Sequence, residues 1–304
     1  MKPSTSHLNA QALLKAAKQQ LVGLYDVQEA QAMAFLLLEH FCQISKIAIL
    51  QGTAKEVLHS QAKKIEAAVE QLLQGTPIQH ITGKVEFCNC RLQVNSDVLI
   101  PRGETEELVA WVLDDLAANS QLIQNRRIID IGTGSGCIAI ALAKALPAAQ
   151  VEAVDVSRKA LHVAQQNAVL NHVNVNFWQG DVLQMGAPST PLYWDAIVSN
   201  PPYVCDSEKC TLPRNVLHEP ALALFVPDNN PLLFYEHIAQ YALQTLSPQG
   251  NLYFEINERW GNKTVQLLQA KGFGTVVLRQ DLNGKDRMVR AQKNLSSIRQ
   301  LSEL

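Results

Sequence analysis

Asp130-Ile131-Gly132-Thr133-Gly134-Ser135-Gly136 is the stretch that decides the fold. It follows a short apolar run, Arg127 to Ile131, and precedes another, Cys137 to Ala145, so it reads as a glycine-rich turn leading from a strand into a helix. Small residues at such a turn let a ligand press against the backbone, and the helix behind them offers free N–H groups at its N-terminus. The next strand, Val151 to Asp155, ends in an acid 23 residues after Gly132, where a carboxylate meets a ribose diol in nucleotide-binding α/β sheets. Each feature alone has a plain alternative: tight packing for the glycines, a helix cap for the aspartate. Their pairing is far more specific.

The loop also discriminates between ligands. A dinucleotide fingerprint reads G-x-G-x-x-G/A, but the sixth position here is Cys137, and the third glycine falls at Gly136 to give G-x-G-x-G directly after Asp130. S-adenosylmethionine has no pyrophosphate to cradle. It carries an ammonium and a sulfonium that suit a carboxylate such as Asp130, and a carboxylate that suits a helix N-terminus. S-adenosylmethionine is therefore the expected cofactor.

Downstream of the loop, the segment Lys159 to Leu170 reads as a helix, and Val173 to Phe177, Asp195 to Ser199 and Asn251 to Ile256 as strands. Gly274 to Arg279 with Asp286 to Ala291 reads as a closing pair. Strands alternating with helices predict a largely parallel sheet covered on both faces, an α/β fold. Upstream, Thr105-Glu106-Glu107 opens an amphipathic helix through Leu116, and Ile78 to Ile100 has the β-branched and aromatic texture of a hairpin-bearing connector. Leu8 to Leu73 carries apolar residues at helical spacings, such as Leu14, Ala17 and Leu21, and predicts a small bundle. The expected organisation is a helical domain over 1–75, a connector over 76–103, the α/β domain over 104–293 and a tail over 294–304.

Composition narrows the function. With 26 Lys plus Arg against 28 Asp plus Glu the net charge is −2, which gives no bulk attraction for phosphate backbones. The 1–75 region, with 7 Lys against 6 Asp plus Glu, lacks a basic stripe. No direct nucleic-acid binding is expected. No window has the length of apolar sequence a membrane span needs, and the first 20 residues lack a signal-peptide layout, so a cytoplasmic protein with no membrane role is expected. The spacings of the six cysteines and eight histidines match no metal-site pattern, so no metal is expected.

The second chemical motif is Ser199-Asn200-Pro201-Pro202-Tyr203, which follows the strand Asp195 to Ser199 and so falls at the carboxyl end of the sheet beside the glycine loop. An amide or aromatic amine nitrogen is a poor nucleophile because its lone pair is delocalised. It needs orientation and acceptors for its N–H groups. Asn200 can accept through its side-chain oxygen and Pro201 through a carbonyl held between stiff prolines, while Tyr203 can pack against a planar group. Alignment and electrostatics would supply much of the effect.

With these residues in place the chain resembles the PrmC/HemK family, the bacterial glutamine N5-methyltransferases of release factors. The resemblance includes Pro77 to Gly83, Leu99 to Arg102 with Glu104-Thr105-Glu106, the glycine loop, Asp155, Gly180-Asp181, Asn200 to Tyr203 and Glu219-Pro220. It implies a Rossmann-like, seven-stranded class I methyltransferase domain preceded by a helical substrate-recognition domain, and the glutamine of the Gly-Gly-Gln motif of class-I peptide chain release factors as substrate. It makes Gly132, Thr133, Gly134, Ser135 and Gly136 the methionine and ribose loop, Asp155 the ribose ligand, Asp181 with Val182 an adenine contact, and Asn200, Pro201, Pro202 and Tyr203 the glutamine clamp. Gly103, Val182, His218 and Asn257 depart from the family's usual residues. Three other readings share parts of this pattern: a glutamine methyltransferase of a ribosomal protein, an adenine-N6 nucleic-acid methyltransferase, and a non-catalytic binding protein that keeps the cofactor fold.

Overall fold

A computed structural model describes residues 7–54, 56–118, 126–186 and 193–294. Of the expected tail only Asn294 lies within them. The chain divides into two compact units, one formed by Met1–Gly83 with Pro213–His218 and the other by Lys84–Leu212 with Glu219–Leu304.

The first unit is helical. Its main helices, Ala10–Leu21, Val27–Cys42 and His59–Leu73, bury Leu21, Phe35, Leu37, Leu38, Ile65 and Leu72 in one core. Two of the three start at a side-chain cap: Asn9 Oδ1 accepts the Gln11 and Ala12 N–H groups, and Asp26 Oδ1 accepts those of Gln28 and Glu29. The unit runs on past the expected boundary because Ile78–Thr82 is a short helix, entered from Pro77 and closed by Gly83 at φ 67°. The β texture read from Ile78 onward begins only at Lys84.

The second unit holds a seven-stranded sheet. Its strands are β1 (Arg127–Ile131), β2 (Gln150–Asp155), β3 (Asn176–Gln179), β4 (Trp194–Ser199), β5 (Leu246–Glu255), β6 (Phe273–Gln280) and β7 (Asp286–Lys293). Their spatial order is β6-β7-β5-β4-β1-β2-β3, with β7 antiparallel to both neighbours and the other pairings parallel. Alternation along the strands divides the core into two layers. Ile128, Ala196, Val198 and Tyr253 meet the helices Gly103–Ala118 and Cys137–Ala145; Ile129, Ile131, Ile197, Leu252 and Phe254 meet Leu233–Thr245 and Gly261–Lys271. No helix among the described residues is long and apolar enough to cross a membrane.

β3 starts three residues later than the sequence suggests, and the reason is local. His172 adopts φ 56° and the Val173 N–H turns back to the Ala168 carbonyl, so Val173 ends the helix Arg158–Leu170 instead of starting a strand.

Two buried polar residues brace the glycine turn. Asp130, fully buried near the end of β1, accepts the Thr133 hydroxyl at 2.6 Å and the Ala139 N–H at 3.3 Å. Asn167, also fully buried, accepts the Gln93 N–H at 2.6 Å and donates to the carbonyls of Gln93 and Ser135, both at 2.9 Å. It bolts the hairpin Lys84–Phe87/Cys90–Gln93 to the turn. Asn167→Leu removes the partner of the part-buried Gln93 N–H and strips the buried Ser135 carbonyl of this donor, the latter at roughly 1–3 kcal/mol. The expected result in urea unfolding is a lower midpoint at unchanged slope; a midpoint equal to wild type would mean that the bolt carries no stability.

Burial pushes the Asp130 carboxyl up from the ordinary 3.8 to about 7. A folded value above the unfolded one means that the folded chain keeps a proton the unfolded chain has lost, so this group makes stability fall as pH rises from 3.8 through about 7 and contributes no slope beyond. Unfolding free energies of wild type relative to Asp130→Asn, taken across that range, are expected to decline with pH. A difference that stays flat would contradict the assignment.

Candidate active site

The carboxyl ends of β1 and β4 lie side by side where the strand order reverses, and a cleft of about 1100 Å3, counting the solvent in its mouth, opens there. Gly132, Thr133, Gly134 and Ser135 form part of its wall. Gly132 and Gly134 sit at φ 74° and 55°, a region side chains rarely enter, and nothing lies within 4 Å of where a Cβ would project. Gly136 has a different place. It is buried off the wall, where a Cβ would come within 2.9 Å of Ile140 Cδ1 and 3.0 Å of Ala164 Cβ, so its smallness serves the packing of the helix Cys137–Ala145.

The turn leans on β2. Gly132 and Thr133 donate to the Val154 carbonyl, and the Gly134 N–H reaches Asp155 Oδ2 at 2.8 Å. Asp155 Oδ1 accepts the Ser157 N–H at 2.8 Å, so both carboxylate oxygens meet backbone donors and keep further lone pairs on a group that lines the cleft. Burial pushes the Asp155 carboxyl up, against these backbone hydrogen bonds. Asp181 and Val182 line the same cleft; the Asp181 carboxylate accepts the Leu183 N–H at 2.9 Å and Gln184 Nε2 at 3.1 Å. Among the described residues, Asp130 Oδ1, buried near the turn, has no hydrogen-bond partner.

Across the cleft stand Asn200, Pro201 and Pro202. Their strand is pinned to β1 by the Ser199 hydroxyl, which donates to the Ile131 carbonyl at 2.6 Å. Asn200 gives its amide nitrogen to Thr105 Oγ1 at 3.2 Å. Tyr203 lies off the cleft wall, packed against the apolar layer around Tyr235 and Phe254, with its hydroxyl donating to Glu255 Oε1 at 3.1 Å. Burial and the neighbouring Glu255 carboxylate push the Tyr203 hydroxyl well above the ordinary phenol range, so it keeps its proton.

The structure adds residues to which sequence reading gave no role in the site. Thr105, which itself lines the cleft beside Asn200, donates to the buried Glu255 Oε2 at 2.6 Å. Glu219 is buried and accepts the Ile100 N–H at 2.8 Å while pairing with Arg102, which ties the two resemblance segments Leu99 to Arg102 and Glu219-Pro220 together. Asn167 had a legible signal, being a polar residue on the buried helix stripe Ala160, Val163, Ala164 and Ala168. Among the departures from the family pattern, Val182 lines the cleft and Gly103 opens its helix at the surface. Asn257 donates to the Tyr203 carbonyl at 3.3 Å, and His218 meets the Gln74 carbonyl at 3.2 Å within the helical unit.

Comparison with known proteins agrees with this geometry. The PrmC N-terminal domain family matches residues 12–83, and the Methyltransferase small domain family matches residues 109–225. A release factor glutamine methyltransferase of Flavobacterium psychrophilum is 44% identical over 273 residues, covering 90% of this chain and 95% of that protein. One of Bacteroides thetaiotaomicron is 39% identical over 279 residues, covering 91% and 97%. Among solved structures, the hMettl16 catalytic domain in complex with MAT2A 3'UTR hairpin 6 shares the fold at a TM-score of 0.56 and 16% identity, over 86% of this chain and 92% of that one. The T. thermophilus 16S rRNA N2 G1207 methyltransferase does so at 0.51 and 17%, over 69% and 50%. Identity at this level over nearly the whole length, together with a matching N-terminal domain, means that the chain belongs to the release factor glutamine methyltransferase family.

Proposed function

We propose that the protein methylates the side-chain amide nitrogen, N5, of the glutamine in the Gly-Gly-Gln motif of class-I peptide chain release factors, with S-adenosylmethionine as methyl donor. The observation that carries this reading is a single cleft with an open glycine cradle on one side and, on the other, an asparagine whose amide nitrogen is already bonded to Thr105. That leaves an acceptor, Asn200 Oδ1, to meet a substrate N–H.

The residues fit the donor. Gly132 and Gly134 leave room for a ligand against the backbone, and Asp130 Oδ1 near the turn has no partner among the described residues. On this reading Gly132 to Ser135 form the methionine and ribose loop with Gly136 packed behind it, Asp155 takes the ribose hydroxyls on its remaining lone pairs, and Asp181 with Val182 borders the adenine. When bound, the cofactor supplies an electrophilic methyl on a sulfonium. Asn200 Oδ1 and the Pro201 carbonyl orient the glutamine amide by its two N–H groups, which turns the nitrogen toward the methyl and favours the charge it gains on attack. Pro202 stiffens that carbonyl, and Tyr203 packs beside it. The helical unit, separate from both motifs, serves substrate recognition, and the net charge of −2 gives no bulk attraction for a nucleic-acid substrate.

Four outcomes follow. Asp155→Ala should weaken S-adenosylmethionine binding about tenfold or more, the equivalent of one charge-assisted hydrogen bond or two; unchanged affinity by calorimetry in a folded variant would take Asp155 out of the site. Incubation with labelled cofactor and a class-I release factor, a ribosomal protein extract and DNA side by side should label the release factor, with one methyl on the Gly-Gly-Gln glutamine in fragment mass spectra. A Gln→Glu release factor should stay unmodified. Asn200→Ala should lose most turnover while cofactor affinity stays within a few-fold, because the acceptor serves the reacting amide. Label on DNA or on the Gln→Glu substrate would overturn the reading.

A further inference from the structure

An asparagine amide can be turned end for end with little change in shape, yet only one orientation presents an acceptor to a substrate N–H. The orientation must be set by whatever bonds its other end. Asn200 Nδ2 donates to Thr105 Oγ1 at 3.2 Å, and the Thr105 hydroxyl donates to Glu255 Oε2 at 2.6 Å. Thr105 and Glu255 are 2% and 1% exposed, so no solvent competes for these bonds. A hydroxyl has one proton. A carboxylate only accepts, so that proton is committed to Glu255 and Thr105 turns only lone pairs toward Asn200. The NH2 end of Asn200 fits there; its carbonyl end would face lone pair to lone pair.

We propose that Thr105 and Glu255 are positioning residues that fix the Asn200 side-chain amide with Oδ1 facing the cleft. The inference rests on the proposed role of Asn200 as acceptor for the substrate amide. The same carboxylate fastens the far end of the motif, since Tyr203 donates to Glu255 Oε1 at 3.1 Å. Glu255 thereby holds Asn200 through Thr105 and Tyr203 directly, one oxygen for each end of the Asn200 to Tyr203 turn. Arg287 lies near enough to offset part of the cost of burying this charge, and its own guanidinium is held by Asp281 at 3.2 Å and by the Ile256 carbonyl at 3.3 Å. Glu255→Gln changes the logic as well as the charge. Its NH2 can donate to Thr105 Oγ1, which frees the Thr105 proton to seek Asn200 Oδ1 and turns the amide round.

The test uses the full-length protein with intact release factor. Thr105→Val keeps the shape and removes the hydroxyl; Thr105→Ser restores it. Thr105→Val is expected to lower kcat about tenfold or more, with KM for release factor and calorimetric S-adenosylmethionine affinity within a few-fold, and Thr105→Ser to recover most of the loss. In an Asn200→Ala background Thr105→Val should cost less than about twofold, because the residue it orients is gone. Melting curves of each variant separate misfolding from misorientation. A Thr105→Val enzyme with wild-type kcat, or one whose loss persists undiminished in the Asn200→Ala background, overturns the proposal. Failure of the wild-type protein to methylate the release factor glutamine would be a different result and would sink the functional reading itself. If Glu255→Gln fails to fold, the Thr105 series and the double variant still decide.

Discussion

Strands β1 and β4 run parallel as neighbours, and the Ser199 hydroxyl on the Ile131 carbonyl fixes their ends against each other. The chain leaves β1 into the glycine turn and β4 into the Asn200 to Tyr203 turn, and because the strand order reverses between them the two turns border one cleft. Every distance in the candidate site depends on that pairing. A shift of one residue in the β1/β4 register would exchange the faces of Ile128 and Ile129 and send Asp130 to the wrong side of the sheet, so the division of apolar side chains between the two core layers also fixes the site.

Carboxylates, three buried and one half-buried on the cleft wall, hold the loops around this pairing. Asp130 braces the glycine turn from inside, Asp155 takes the Gly134 N–H, Glu219 joins the Ile100 N–H to Arg102, and Glu255 gathers the hydroxyls of Thr105 and Tyr203. Burying a carboxylate is costly unless its oxygens are met, and burial pushes Asp130, Asp155 and Glu255 up toward the neutral form. Apolar residues would stabilise the fold more cheaply. What a carboxylate adds is direction: each accepts from defined donors and so allows a loop a single arrangement, which a site that works by alignment requires.

The sequence carries the parts of this arrangement that depend on local spacing. The glycine turn, Asp155 at the next strand end and the Asn200 to Tyr203 motif are each placed by the strand that precedes them, and the apolar period of the strands predicts the parallel sheet. Contacts between distant segments are not written locally. Thr105 lies 95 residues from Asn200 and 150 from Glu255, and nothing in Thr105-Glu106-Glu107 distinguishes a residue serving the site from an ordinary first helical turn. Glu255 reads only as the polar end of a strand. Gly136 shows the converse: it belongs to the motif by sequence, but in the structure it serves helix packing, because a glycine pattern does not separate close approach of a ligand from close approach of a helix.

If Asn200 and Pro201 hold the substrate as proposed, the choice of nitrogen over oxygen follows from the sign of the groups facing it. A glutamine amide would bring two N–H donors to the Asn200 oxygen and the Pro201 carbonyl, whereas a glutamate carboxylate would bring lone pairs and a negative charge to the same two acceptors. Rejection of the acid then needs no steric difference, since the two side chains are nearly isosteric and the unfavourable term is electrostatic. This discrimination survives only while Asn200 keeps its oxygen toward the cleft. Turned round, the same residue would offer donors instead, leaving the Pro201 carbonyl alone to select for N–H groups. On that reading the Thr105 and Glu255 pair bears on which substrate the site accepts as much as on how fast it reacts.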